Sequence, residues 1–131
     1  MKIFMITAIV ILFAGAAPAH DHRVSPVMRE QHNSMLAMDK EWVLCKKSLA
    51  ADDLAAAGVA LDRMEKALRN LERFKPHLRQ EGHLDFQKQA RNFKAGLTKL
   101  AEAVKGKKSV EVPRLIGKID DGCLKCHEKF R

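Results

Sequence analysis

From Pro26 onward the chain sets its apolar residues at spacings of three and four, over four successive stretches, and nowhere alternates apolar and polar residue by residue. That period is the helical repeat, and it argues against a fold built on strands. In the first stretch Met28, Gln31, Met35, Met38, Trp42, Cys45 and Leu49 share one stripe, with Ser25 placed to cap the helix and Pro26 at its first position. The second follows Asp52 and Asp53, carries Leu54, Ala57, Leu61, Met64, Leu68 and Leu71, and ends before Pro76. The third holds Phe86, Ala90, Phe93, Leu97, Leu100 and Val104 and stops at Lys105-Gly106-Lys107-Lys108. The fourth runs from about Ser109, with Pro113 in its first turn, through Leu115, Ile116 and Ile119 to Cys126 and Phe130. Each stripe is too narrow for a membrane span and too apolar to be left in water, so the four must cover one another. Short connections make neighbours antiparallel, and the expectation is an all-α, up-down-up-down four-helix bundle of roughly 20 to 25 residues per helix. Its longest connection is Phe74 to His83.

With 131 residues there is room for a single domain, and three cysteines are too few to staple a small disulfide-rich fold. The segment before the first helix has a different character. Lys2 precedes a charge-free run from Ile3 to Ala19 that closes on Ala17-Pro18-Ala19, the pattern of a secretory signal peptide cut after Ala19. The run is shorter than the ~20 apolar residues that span a bilayer, so export to a bacterial periplasm without stable membrane insertion is expected. A mature chain beginning His20-Asp21-His22 would present a free amine with histidine third, a nitrogen set that suits copper(II) or nickel(II), although a disordered tail is the simpler reading.

The chemistry is concentrated at the other end. The stretch Cys123-Leu124-Lys125-Cys126-His127 is a Cys-x-x-Cys-His motif, the attachment signature of c-type haem. On a helix, positions i, i+3 and i+4 share a face, so two thiols can meet the two vinyl groups while the next imidazole reaches the iron. A thioredoxin-like redox pair would need a βαβ setting. A Cys123–Cys126 disulfide fits poorly in a helical turn, and a zinc site would have to recruit Cys45 or a remote histidine to close a tetrahedron.

The last nine residues, CLKCHEKFR, resemble the ending of the class II c-type cytochromes, the cytochrome c′ family. There the attachment motif closes the fourth helix and is followed by an aromatic and an arginine, here Phe130 and Arg131. The resemblance covers the mature chain as architecture and these nine residues as a specific motif. It implies one covalent haem c near the end of the fourth helix, held by Cys123 and Cys126 with His127 on the iron, in a periplasmic protein that is often a homodimer. It further implies either electron transfer or binding of nitric oxide or carbon monoxide. The chain departs from the family in being shorter and in carrying Cys45, read as a buried free thiol or, given the odd cysteine count, as a partner in an intermolecular disulfide.

The distal side of the iron falls to the first turns of the first helix in an antiparallel bundle, which makes Met28, His32 and Met35 the candidates. The fragment VMREQHNSM resembles the ligand-bearing helix of low-spin family members, and Met28 is favoured, with Met35 as its substitute. Met38, ten residues past Met28 and roughly 15 Å along the axis, is expected to lie too far down. If Met28 only packs on the porphyrin, the iron is five-coordinate and open to a small gas. Leu68, Leu71, Phe74, Phe86 and Ala90, with Gln31, are the expected pocket walls. No second ionisable cluster suggests an enzyme. Of the formal charge of +8, one unit leaves with Lys2. Lys125, Lys129 and Arg131, with the cluster Lys105, Lys107 and Lys108, suggest a basic rim for an acidic redox partner. The helices show no basic stripe with stacking aromatics of the kind that binds nucleic acid.

Overall fold

A computed structural model of the chain describes residues 25–74 and 82–130, which form four α-helices, one 3-10 segment and no strand. Helix α1 spans Pro26–Ala50, α2 Leu54–Ala67, α3 His83–Lys105 and α4 Val112–Phe130, with the 3-10 segment Leu68–Arg73 continuing α2. The signal-peptide reading, the His20-Asp21-His22 terminus, His77 and Arg131 fall outside the described residues. Among those described, no helix is long and apolar enough to cross a membrane.

The helix starts follow from local chemistry. Ser25 accepts a hydrogen bond from the Met28 backbone N–H at 3.1 Å, and Pro26 opens α1, where a missing N–H costs nothing. Asp53 plays the same part for α2, accepting from the Ala56 N–H at 2.9 Å. In the α3–α4 connection Gly106 follows α3 with φ −78, and the left-handed residue is Lys107, at φ 52.

The second helix is also shorter than the stripe implied. After 14 residues α2 tightens into the 3-10 segment. A 3-10 turn has three residues per turn, so residues three apart eclipse, and Leu68, Leu71 and Phe74, spaced by three, are all buried. The tighter winding keeps on the core face three side chains that an α-helix would have rotated progressively around its axis.

The core is one cluster drawn from every helix. Leu61, Met64, Leu68, Leu97, Leu100 and Cys45 have almost no exposure, and Trp42, Phe74, Phe86, Ile119 and Phe130 are among its larger members. Three of the stripe residues of α1, Met28, Met35 and Leu49, are only half-buried. Helix α1 packs on α2, α2 on α3 and α3 on α4. Helix α1 also meets α4 through polar groups: the Trp42 indole N–H donates to Asp120 Oδ1 at 2.6 Å, and Lys46 Nζ reaches the same oxygen at 3.0 Å while lying 5.3 Å from the Trp42 ring centre.

Removing this acceptor leaves a buried indole N–H unpaired. Asp120→Ala will therefore cost about 1–3 kcal/mol in urea unfolding. Asp120→Asn, which keeps an oxygen for the indole, will recover most of the loss; equal losses in the two variants would show that the hydrogen bond is not what matters.

Candidate functional site

Helix α4 runs unbroken through the Cys-x-x-Cys-His turn, so Cys123, Cys126 and His127 stand at i, i+3 and i+4 of one regular helix. All three line a cavity of about 420 Å³ between α3 and α4 that reaches inward to α1. Such a volume lies within the usual range for small-molecule and cofactor pockets, about 300–1,000 Å³. The apolar walls are Met35 and Met38 from α1, Leu71 from the 3-10 segment, Phe86, Ala90 and Phe93 from α3, and Leu115 and Ile119 from α4. His127 is exposed at the rim, and the two thiols are half-buried.

The thiols are free. Burial, with smaller contributions from the charges of Asp120 and Cys126, pushes the Cys123 pKa up to about 11, and burial raises that of Cys126 as well. Both therefore stay protonated at neutral pH. Cys45, fully buried on α1, is likewise pushed up to about 11 by burial and does not line the cavity. Among the described residues no group of three or more His, Cys, Asp or Glu side chains comes together to hold a bare metal ion.

A haem needs two thiols one helical turn apart, an adjoining imidazole and an apolar slot beside them. The cavity has all of these, and the residues present fit the group.

The structure separates the methionines considered as candidates for the side opposite His127. Met28 is half-buried in the first turn of α1 and is not a wall of the cavity, whereas Met35 is. Met38, expected to lie too far along the bundle, is a wall too. The reason is the cavity's length: its α4 wall extends from His127 back to Arg114, roughly 20 Å along the axis, so it is not confined to one end of the molecule. His32 is exposed on α1. His83, assigned to the connection, is instead the first residue of α3, with Nε2 3.3 Å from Gln87 Nε2. Of the expected walls Leu71, Phe86 and Ala90 line the cavity, while Leu68, Phe74 and Gln31 are buried elsewhere in the core.

Phe93, Lys99, Arg114 and Lys118 are lining residues that the sequence reading missed. The signal for two of them was present: Arg114, Lys118, Gly122 and Cys126 are four apart in sequence and form one row along α4.

The end of α4 is clamped to the start of α3. Lys129 Nζ pairs with Asp85 Oδ2 at 2.7 Å, and the Phe130 ring meets Phe86 edge-on at 5.3 Å between centres. The Lys129 charge holds the Asp85 carboxyl below the usual carboxylate range, first by its hydrogen bond and then by charge attraction. Lys129 is thus engaged within the chain, which weakens its part in the expected basic rim. Comparison with protein-family models, with curated proteins and with solved structures gives no match for this chain.

Proposed function

We propose that this chain is a periplasmic monohaem c-type cytochrome of the class II kind, an antiparallel up-down-up-down four-helix bundle that carries single electrons between partner proteins. The observation that carries this reading is that two thiols, the adjoining imidazole and a methionine from another helix share the walls of one largely apolar cavity. The antiparallel topology is supported by Gln87 meeting Glu72 while Thr98, further along α3, meets Glu65, earlier in the preceding segment, and by the start of α3 meeting the end of α4 at Asp85 and Lys129.

Cys123 and Cys126 would hold the haem as thioethers. In each thioether the sulfur would take one carbon of a vinyl C=C and the thiol proton the other, so attachment would need no oxidant. His127 would be the proximal ligand. The haem, when bound, supplies one-electron chemistry at its iron. The protein's part is to orient the imidazole, to supply a distal sulfur and to exclude water. Leu71, Phe86, Ala90 and Phe93 do the last, since none offers a hydrogen-bonding group to a water molecule. Of Met28, favoured by sequence, and its substitute Met35, Met35 would be the one to offer its sulfur to the iron, because it is the one of the two that lines the cavity.

The ferric wild type will show the weak near-infrared sulfur-to-iron charge-transfer band. Met35→Ala will abolish it, and Met28→Ala will leave it intact. Loss of the band in Met28→Ala alone would return ligation to Met28. A high-spin wild type whose ferrous form readily binds carbon monoxide would replace the electron carrier by a five-coordinate gas-binding protein.

A further inference from the structure

The cavity is lopsided in charge. Lys99 of α3 and Arg114 and Lys118 of α4 lie along its wall, and among the described residues no carboxylate lines it. The other ionisable lining groups are Cys123, Cys126 and His127 on α4, while α1 and the 3-10 segment contribute only Met35, Met38 and Leu71. All three cations are exposed at the rim and so keep their charge without a large desolvation cost. Three cations on one wall give an anionic group a place to bind.

We infer that Lys99, Arg114 and Lys118 form a cationic seat for the two propionates of the haem, which rests on the haem reading above. The chemistry of the macrocycle sets the direction. Thioethers to Cys123 and Cys126 fix its vinyl edge, and the propionates leave from a different edge. Along α4 the row from Cys126 passes Gly122, which places no side chain in the way, and reaches Lys118 and then Arg114. These lie about 8 Å and about 14 Å along the axis from Cys123, with long side chains to spare. Lys99 closes the seat from α3. In the opposite direction along α4, Lys129 is paired with Asp85.

The seat is tested on the haem-loaded chain by following reduction potential against pH. Opposite charges nearby hold a carboxylate ionised, so the propionate step in the wild type will lie below the ordinary carboxyl range, about pH 4. In the triple variant Lys99→Gln/Arg114→Gln/Lys118→Gln the step will move up by roughly one to three pH units, with covalent haem content and helicity unchanged. A control, Lys105→Gln/Lys107→Gln/Lys108→Gln, removes as many charges away from the cavity and will leave the step in place. An unmoved step in the first variant, or an equal shift in the control, overturns the seat while leaving the cytochrome reading intact. A wild-type chain that carries no covalent haem on a denaturing gel overturns the cytochrome reading itself, and the seat with it.

Discussion

Exported from a host that attaches c-type haem, the wild-type chain will keep a haem through boiling in detergent, and the Cys123→Ser/Cys126→Ser variant will keep none. The expected effect is complete because, in the proposed reading, the two thioethers would be the covalent link, and the imidazole and the apolar walls would hold haem only by coordination and contact. Haem staining of a denaturing gel, with the intact mass of the chain, reads the result. Single replacements sharpen it. With either Cys123 or Cys126 left, one thioether can still form, so each single variant will retain some covalent haem. Cys45→Ser will retain it fully, since that thiol is buried outside the cavity. Haem lost on Cys45→Ser, or retained in the double variant, would overturn the assignment.

The second large effect concerns the element that joins fold to site. Phe86 is 2% exposed, lines the cavity and packs edge-on against Phe130, so one ring both closes the core and forms part of the α3 wall of the slot. Truncating a buried phenylalanine typically costs about 3–5 kcal/mol, in lost transfer energy and in the cavity left behind. For a domain of this size that is a fall in Tm of at least about 12 °C. Phe86→Ala will show it by thermal melting followed in the far ultraviolet. Leu84→Ala, two residues away but 77% exposed, will stay within about 0.5 kcal/mol of the wild type. Comparable losses in the two would mean that the start of α3 is not packed as described.

The helices were legible because their signals are local. Ser25 with Pro26 announces α1, and Asp53 announces α2, each through a cap formed within a few residues. The stripes identified most of the core, although Ala60 and Ala103, both buried, were missed because small side chains contribute little to a periodic apolar signal. What sequence could not supply is anything that depends on how distant elements pair. Trp42 and Asp120 are 78 positions apart, and nothing near either residue names the other. The cations of the cavity are similar: Arg114 and Lys118 look like ordinary surface residues until α3 and α4 pack side by side. Met38 was set aside by counting along the axis from an assumed site at one end, a step that fails once the cavity extends several turns.

The Trp42 hydrogen bond has an optical consequence. The chain has one tryptophan and no tyrosine, so its near-ultraviolet emission arises essentially from a single indole. That indole is tied to Asp120, one helical turn before Cys123. Release of α4 from α1 exposes the ring to water and shifts its emission to longer wavelength. A porphyrin in the adjoining slot drains the excited state by energy transfer, so the colour of the emission follows helix docking and its brightness follows cofactor loading.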